Sequence, residues 1–235
     1  FEREHTMAFL FTRLLRWFVL FYVIYSGSQW VLRSKSFHFS PKEFRSLSEK
    51  AKGEGASAVV KFATDLRRSF GPLVSNDLQW TGLQAGGMQL KAMILHGALT
   101  EFVVALHAPF ATTGRTGFHF ANTTCTVLSG GVQRVADLTH SDSVESFAPG
   151  SNFRLSQFES SLVSLKEKTY VVCYGRGLAP VSSFWALPQN IIGGDFVSFG
   201  RFVYLYGKSY FETLSISAEQ TYKHVKETYF KKTEL

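Results

Sequence analysis

From Lys42 to Phe70 apolar residues recur three and four positions apart: Phe44, Leu47 and Ala51, then Val59, Val60, Phe62, Ala63 and Leu66. This is the period of an amphipathic helix. Pro41 marks its start and the Gly53 to Gly55 break divides it, so two short helices are predicted. A second apolar series, Met93, Ile94, Leu95, Leu99, Phe102, Val103 and Leu106, follows the Gly86-Gly87 pair and reads as a buried helix within Gln79 to Leu106. From Thr112 the texture changes to short β-branched runs, such as Cys125 to Leu128, Val144 to Phe147 and Tyr170 to Tyr174. Turn formers at Gly130-Gly131, Pro149-Gly150 and Gly175 separate them, which predicts a compact β-barrel or sandwich. Beyond Pro180 helical spacing returns: Trp185 and Leu187 lie on a short segment, and Phe196, Phe199, Phe202, Val203, Tyr206 and Tyr210 form one broad stripe. That stripe reads either as core or as an interfacial membrane face rimmed by Arg201 and Lys208.

At the N-terminus, Trp17 to Leu32 runs for sixteen residues without a formal charge, between Arg13 and Arg16 on one side and Arg33 and Lys35 on the other. Extended back through Leu14 it nears the ~20 residues needed to cross a bilayer. Trp17, Tyr22, Tyr25 and Trp30 fit the aromatic enrichment of membrane interfaces. The expectation is an uncleaved transmembrane anchor. Basic flanks on both sides leave its orientation open, and Ser26-Gly27-Ser28-Gln29 weakens its C-terminal end.

The chain has 235 residues, 45% of them hydrophobic, which suits one substantial core plus an appendage. Its formal charge is +7. The basic residues are dispersed and carry no aromatic-interleaved nucleic-acid signature, so membrane lipid is the expected anionic partner and nucleic acid is not. Two cysteines cannot build a secreted disulfide framework, and no spacing supports a zinc site. No metal and no cofactor are expected.

Read in order, Asp77-Leu78-Gln79-Trp80, Ala85-Gly86-Gly87 and Leu95-His96-Gly97-Ala98-Leu99-Thr100-Glu101-Phe102 form a collinear set of landmarks. It continues with Gly114-Arg115-Thr116-Gly117, Phe120-Ala121, Val127-Leu128-Ser129-Gly130, Pro149-Gly150 and Tyr174-Gly175-Arg176-Gly177 with Pro180. The set resembles the sigma-1 receptor and fungal C-8 sterol isomerase family, from the anchor to about Tyr210. The resemblance implies an α+β fold: an N-terminal transmembrane helix, a cupin-like β-barrel flanked by helices, and two C-terminal membrane-associated amphipathic helices. The expected organisation is an anchor over 1–34, a family domain over 35–211 and a helical extension over 212–235, the last docking onto another subunit. By the same resemblance the location is a membrane of the endoplasmic reticulum, with the mitochondrial inner membrane as the alternative.

The family enzyme shifts a sterol double bond through a carbocation, which requires a buried acid and a stabilising carboxylate. By resemblance those acidic places fall on Cys125, Cys173 and Asn122, all neutral here. A charge about 4 Å from a cation contributes on the order of 4 kcal/mol at an effective dielectric near 20, so its loss slows such a step by roughly a thousandfold. No catalytic residue is therefore expected. Phe102, Leu106, Phe120, Cys125, Cys173, Tyr174 and Phe184 are the pocket candidates. Because the family's paired carboxylates face each other, the two cysteines should be neighbours in space, either as small apolar fillers or, in an oxidising compartment, as a disulfide. His96 and Glu101 read as structural, and Arg115 and Arg176 as turn and surface residues. Leu90 stands four residues after Gly86, where a Gly-x-x-x-Gly step would close, so the family's homotrimer is not carried over.

Three functions remain open at this point: a non-catalytic structural or accessory subunit of a membrane complex, a protein binding a sterol or other hydrophobic ligand, and an active sterol isomerase.

Overall fold

The computed structural model describes residues 2–34, 37–137, 143–182 and 187–233. Phe184 and Trp185 lie outside the described residues. The chain divides into two compact units, Phe1–His38 and Phe39–Leu235.

The first unit is one helix, α1 (Glu2–Ser34). Leu14, Trp17, Tyr22, Tyr25 and Trp30 are all exposed. Among the described residues, however, no helix is long and apolar enough to cross a membrane. The spanning anchor expected from the sequence is not confirmed, and the described part of α1 is a helix with exposed apolar residues.

The second unit is layered. The two predicted helices are present as α2 (Pro41–Lys50) and α3 (Gly55–Phe70), with Pro41 in the first turn of α2. A six-stranded antiparallel sheet follows in the order β1-β2-β3-β10-β5-β8, and a four-stranded one in the order β4-β9-β6-β7. Their strands are β1 (Trp80–Ala85), β2 (Met88–Gly97), β3 (Glu101–Ala108), β4 (Thr112–Arg115), β5 (Ala121–Ser129), β6 (Val132–Ala136), β7 (Glu145–Phe147), β8 (Asn152–Leu155), β9 (Ser161–Leu165) and β10 (Thr169–Gly177).

The buried helix expected within Gln79 to Leu106 is not there. That segment forms β1, β2 and most of β3. Gly86 and Gly87 both have positive φ, 61° and 89°, and close a two-residue hairpin rather than opening a helix. Met88, Leu90 and Ala92 alternate with exposed Gln89 and Lys91 before a continuous buried run from Ala92 to Gly97. A strand covered on both faces has no alternation to read.

Because side chains alternate across a strand, the six-stranded sheet serves two cores. Met93, Leu95, Val103, Leu128, Val172 and Tyr174 pack under α2 and α3 with Phe44 and Phe62. On the opposite face, Leu90, Cys125, Val127 and Cys173 meet Val132, Val163 and Leu165 from the four-stranded sheet. A cavity lies in this second core.

The C-terminal region is helical as expected: α4 (Ala179–Ser182), α5 (Leu187–Ile192) and α6 (Phe196–Thr233), the last passing residue 212 without a break. Within the Phe-rich stripe Phe202 and Tyr206 are half-buried and border the cavity, whereas Phe196 and Val203 are exposed. Polar bonds fix α6 to the sheet: Tyr206 donates to the Ala98 carbonyl (2.7 Å), Ser209 Oγ accepts from Gly97 N (2.8 Å), and Lys208 pairs with Asp77 (2.8 Å).

Candidate functional site

β5 and β10 run antiparallel in a register that sets Cys125 directly opposite Cys173. Their Cα atoms are 4.1 Å apart and the sulfurs are bonded. Such proximity belongs to a non-hydrogen-bonded antiparallel pair, where side chains come closest. The two side chains are 2% and 4% exposed. Thus the disulfide is formed, and two free thiols serving as apolar fillers are ruled out.

Both cysteines line a cavity of about 140 Å³ between the two sheets. Leu106 and Val104 from β3, Phe153 and Leu155 from the β8 region, and Phe202 and Tyr206 from α6 complete much of the apolar wall. Phe102, its ring lying over Gly175, is also in the lining. A side chain at Gly175 would run into that ring, so glycine there keeps Phe102 in place. Among the described residues no Asp, Glu, Lys or Arg lines the cavity. The buried acid of the neighbourhood, Glu101, is turned to the other core: its Oε2 accepts from Phe39 N (3.5 Å) and lies 3.3 Å from the Tyr174 hydroxyl. Glu159 accepts from Ser156 N (3.2 Å) in its own turn.

The remaining sequence candidates are placed as follows. Tyr174, expected at the pocket, faces the helix layer, because it neighbours Cys173 on a strand and must point the opposite way. Its hydroxyl donates to the Phe39 carbonyl (2.8 Å) and accepts from Arg176 Nε (2.6 Å), and burial pushes its pKa well up. Arg176 is therefore a half-buried strand residue tied to Phe39 and Tyr174, not a surface turn. Arg115 is exposed and pairs with Asp137 (2.7 Å). Phe120 is not part of the lining and packs edge-on against Phe158, at 5.4 Å between ring centres. Asn122 points outward on β5 and accepts from Gln157 N (3.2 Å). His96 is on β2, with Nδ1 2.8 Å from the Leu73 carbonyl oxygen, and it also borders the cavity.

Sequence reasoning missed a neutral polar corner of this cavity, formed by Thr116, His119, Thr123 and Ser182. Thr123 was findable: it stands two residues before Cys125 on the same strand and so shares its face. The His119 imidazole is buried, and desolvation lowers its pKa against the opposing effect of a bond to the Thr116 backbone. The lining offers apolar contact and a few hydrogen-bonding groups, with no carboxylate among the described residues.

Residues 14–218 match the family described as ERG2 and Sigma1 receptor like protein. The chain is 32% identical over 182 residues to the sigma non-opioid intracellular receptor 1 of Xenopus tropicalis, covering 76% of this chain and 81% of that protein. It is 26% identical over 186 residues to the C-8 sterol isomerase of Neurospora crassa, covering 75% and 72%. Among solved structures it is similar to KdgF from Halomonas sp., with 14% identity, 45% of this chain and 94% of that one covered and a TM-score of 0.36. An RmlC-like cupin from Shewanella frigidimarina is similar to the same extent, with 14% identity, 46% and 95% coverage and a TM-score of 0.35.

Proposed function

The chain belongs to the ERG2 and Sigma1 receptor like protein family, and from that premise we propose that it is a non-catalytic, membrane-associated member acting as an accessory subunit of a membrane protein complex. The observation that carries the reading is the Cys125–Cys173 disulfide in the cavity wall, in a lining that has no carboxylate among the described residues. A disulfide cannot donate the proton or balance the positive charge that double-bond migration requires. The exposed apolar residues of α1 and the exposed Phe196, Val197 and Phe211 of α6 are suited to a lipid surface. Residues 212–235, whose described part up to Thr233 continues α6, are the segment assigned to a partner subunit. A stable disulfide requires an oxidising compartment, which fits the lumen of the endoplasmic reticulum and, as the alternative, the intermembrane side of the mitochondrial inner membrane. Expression in a yeast lacking C-8 sterol isomerase tests the loss of catalysis. The expected result is no restoration of the downstream sterol, and restoration would refute it. Purification in mild detergent should recover stoichiometric membrane partners; a lone homo-oligomer would remove the accessory role.

A second reading, ligand binding without turnover, is favoured by the cavity itself. Its volume, about 140 Å³, is below the roughly 300–1,000 Å³ of ordinary ligand pockets. It accommodates a small apolar group or one end of a larger lipid, and a whole sterol nucleus only if Phe202 and Tyr206 on α6 give way.

A further inference from the structure

Inside this cavity one polar atom stands out. Thr123 is 5% exposed, its Oγ1 has no hydrogen-bond partner among the described residues, and it borders the cavity. The residues opposite it on the two flanking strands are Gly175 on β10 and Leu155 on β8, neither with a polar side-chain atom to offer. The nearby hydroxyls are engaged elsewhere. Thr116 Oγ1 donates to the Ser161 carbonyl (3.3 Å) and accepts from Ser161 N (3.0 Å). Ser182 Oγ donates to the Leu178 carbonyl (3.3 Å) and accepts from Phe120 N (3.2 Å). A buried hydroxyl left without a partner destabilises the fold, and such groups are rare enough to need a reason.

We propose that Thr123 Oγ1 receives the single oxygen of a neutral ligand, an alcohol or carbonyl carried on an apolar body whose buried part is about the size of one six-membered ring. The size follows from the cavity, about 140 Å³, close to the ~150 Å³ of an engineered apolar cavity that binds benzene. The neutrality follows from the lining, which holds a disulfide where a cation would need a carboxylate. A water in the corner of Thr116, His119, Thr123 and Ser182 is the competing occupant, displaced by a ligand oxygen that reaches Thr123. The polarity follows from the hydroxyl, which a purely hydrocarbon ligand would leave unsatisfied. This inference rests on the ligand-binding reading above and names the class of ligand.

The test compares cyclohexanol, methylcyclohexane and cyclohexylammonium by calorimetric titration of the full chain in lipid nanodiscs, for the natural protein and for Thr123→Val. Partition into lipid is common to both proteins and cancels in the comparison. The natural protein should bind both neutral compounds, cyclohexanol more tightly, and should not bind the ammonium. Thr123→Val, which keeps the shape and removes the hydroxyl, should weaken cyclohexanol about five- to tenfold, the effect of one neutral hydrogen bond, and leave methylcyclohexane unchanged. The unliganded variant should melt no lower than the natural protein, which shows that it folds. Equal binding of cyclohexanol by the two proteins would overturn the role of Thr123 while leaving the cavity a ligand site. If neither neutral compound binds, or the ammonium binds most tightly, the ligand-binding reading falls and the inference with it.

Discussion

Breaking the Cys125–Cys173 bond removes a cross-link that closes a 48-residue separation. The chain-entropy relation, with an entropy of about 2.1 + 1.5R ln n cal/mol/K, gives roughly 4 kcal/mol at 25 °C for a loop of that length. For a folded unit of this size each kcal/mol moves the melting temperature by about 2–4 °C, so reduction should lower it by roughly 8–16 °C. Reduction is the cleaner perturbation, because the sulfur atoms stay in the wall of the cavity and only the constraint on the unfolded chain is lost. Both sulfurs are buried, so the reductant must act on the unfolded or transiently opened protein and equilibration should be slow below the transition. Melting would be followed by circular dichroism with and without a phosphine reductant, beside a Cys125→Ala/Cys173→Ala variant that should melt lower by at least as much. Thiol titration in denaturant without reductant should find no reactive thiol. A melting shift under about 2 °C, or two titratable thiols in the unreduced denatured chain, would refute the reasoning.

Other outcomes follow from the same structure. Tyr174→Phe removes a hydroxyl that serves Phe39, Glu101 and Arg176 together; leaving buried polar partners unmet should cost about 1–3 kcal/mol, read from the urea midpoint at unchanged slope. A side chain at Gly114 would run into the Gly86 carbonyl and the Met88 side chain, so Gly114→Val should give misfolded or strongly destabilised protein, seen as loss of the soluble, cooperatively melting fraction. Desolvation lowers the pKa of His119 and of His107 from the ordinary 6.5. The unfolded chain then binds more protons than the folded one as pH falls below ~6.5, so stability is complete above that value and declines beneath it. In urea titrations between about pH 7.5 and 5.5, His119→Gln should shallow this decline; a slope identical to that of the natural protein would refute the role of His119.

Much of this protein was legible in one dimension. The collinear landmarks from Asp77 to Pro180 identified the family, and the Gly53 to Gly55 break between two amphipathic stretches located α2 and α3, because helix periodicity and glycine punctuation are local properties. The expectation that Cys125 and Cys173 are neighbours was equally readable, carried by the resemblance, and the strand register bears it out. What residue order could not carry was direction. Whether Met93 to Leu95 was helix or strand depended on being covered from both sides, which erases the alternation that marks a strand. Which of Cys173 and Tyr174 faced the cavity depended on the register of β10 between β3 and β5, since adjacent residues on a strand point to opposite cores. The same register brought the two sulfurs within bonding reach across 48 residues of chain, and it left the Thr123 hydroxyl between a leucine and a glycine. Sequence carried the composition of the cavity wall; only strand pairing decided which side of that wall each residue occupies, because facing is a property of neighbours that are distant along the chain.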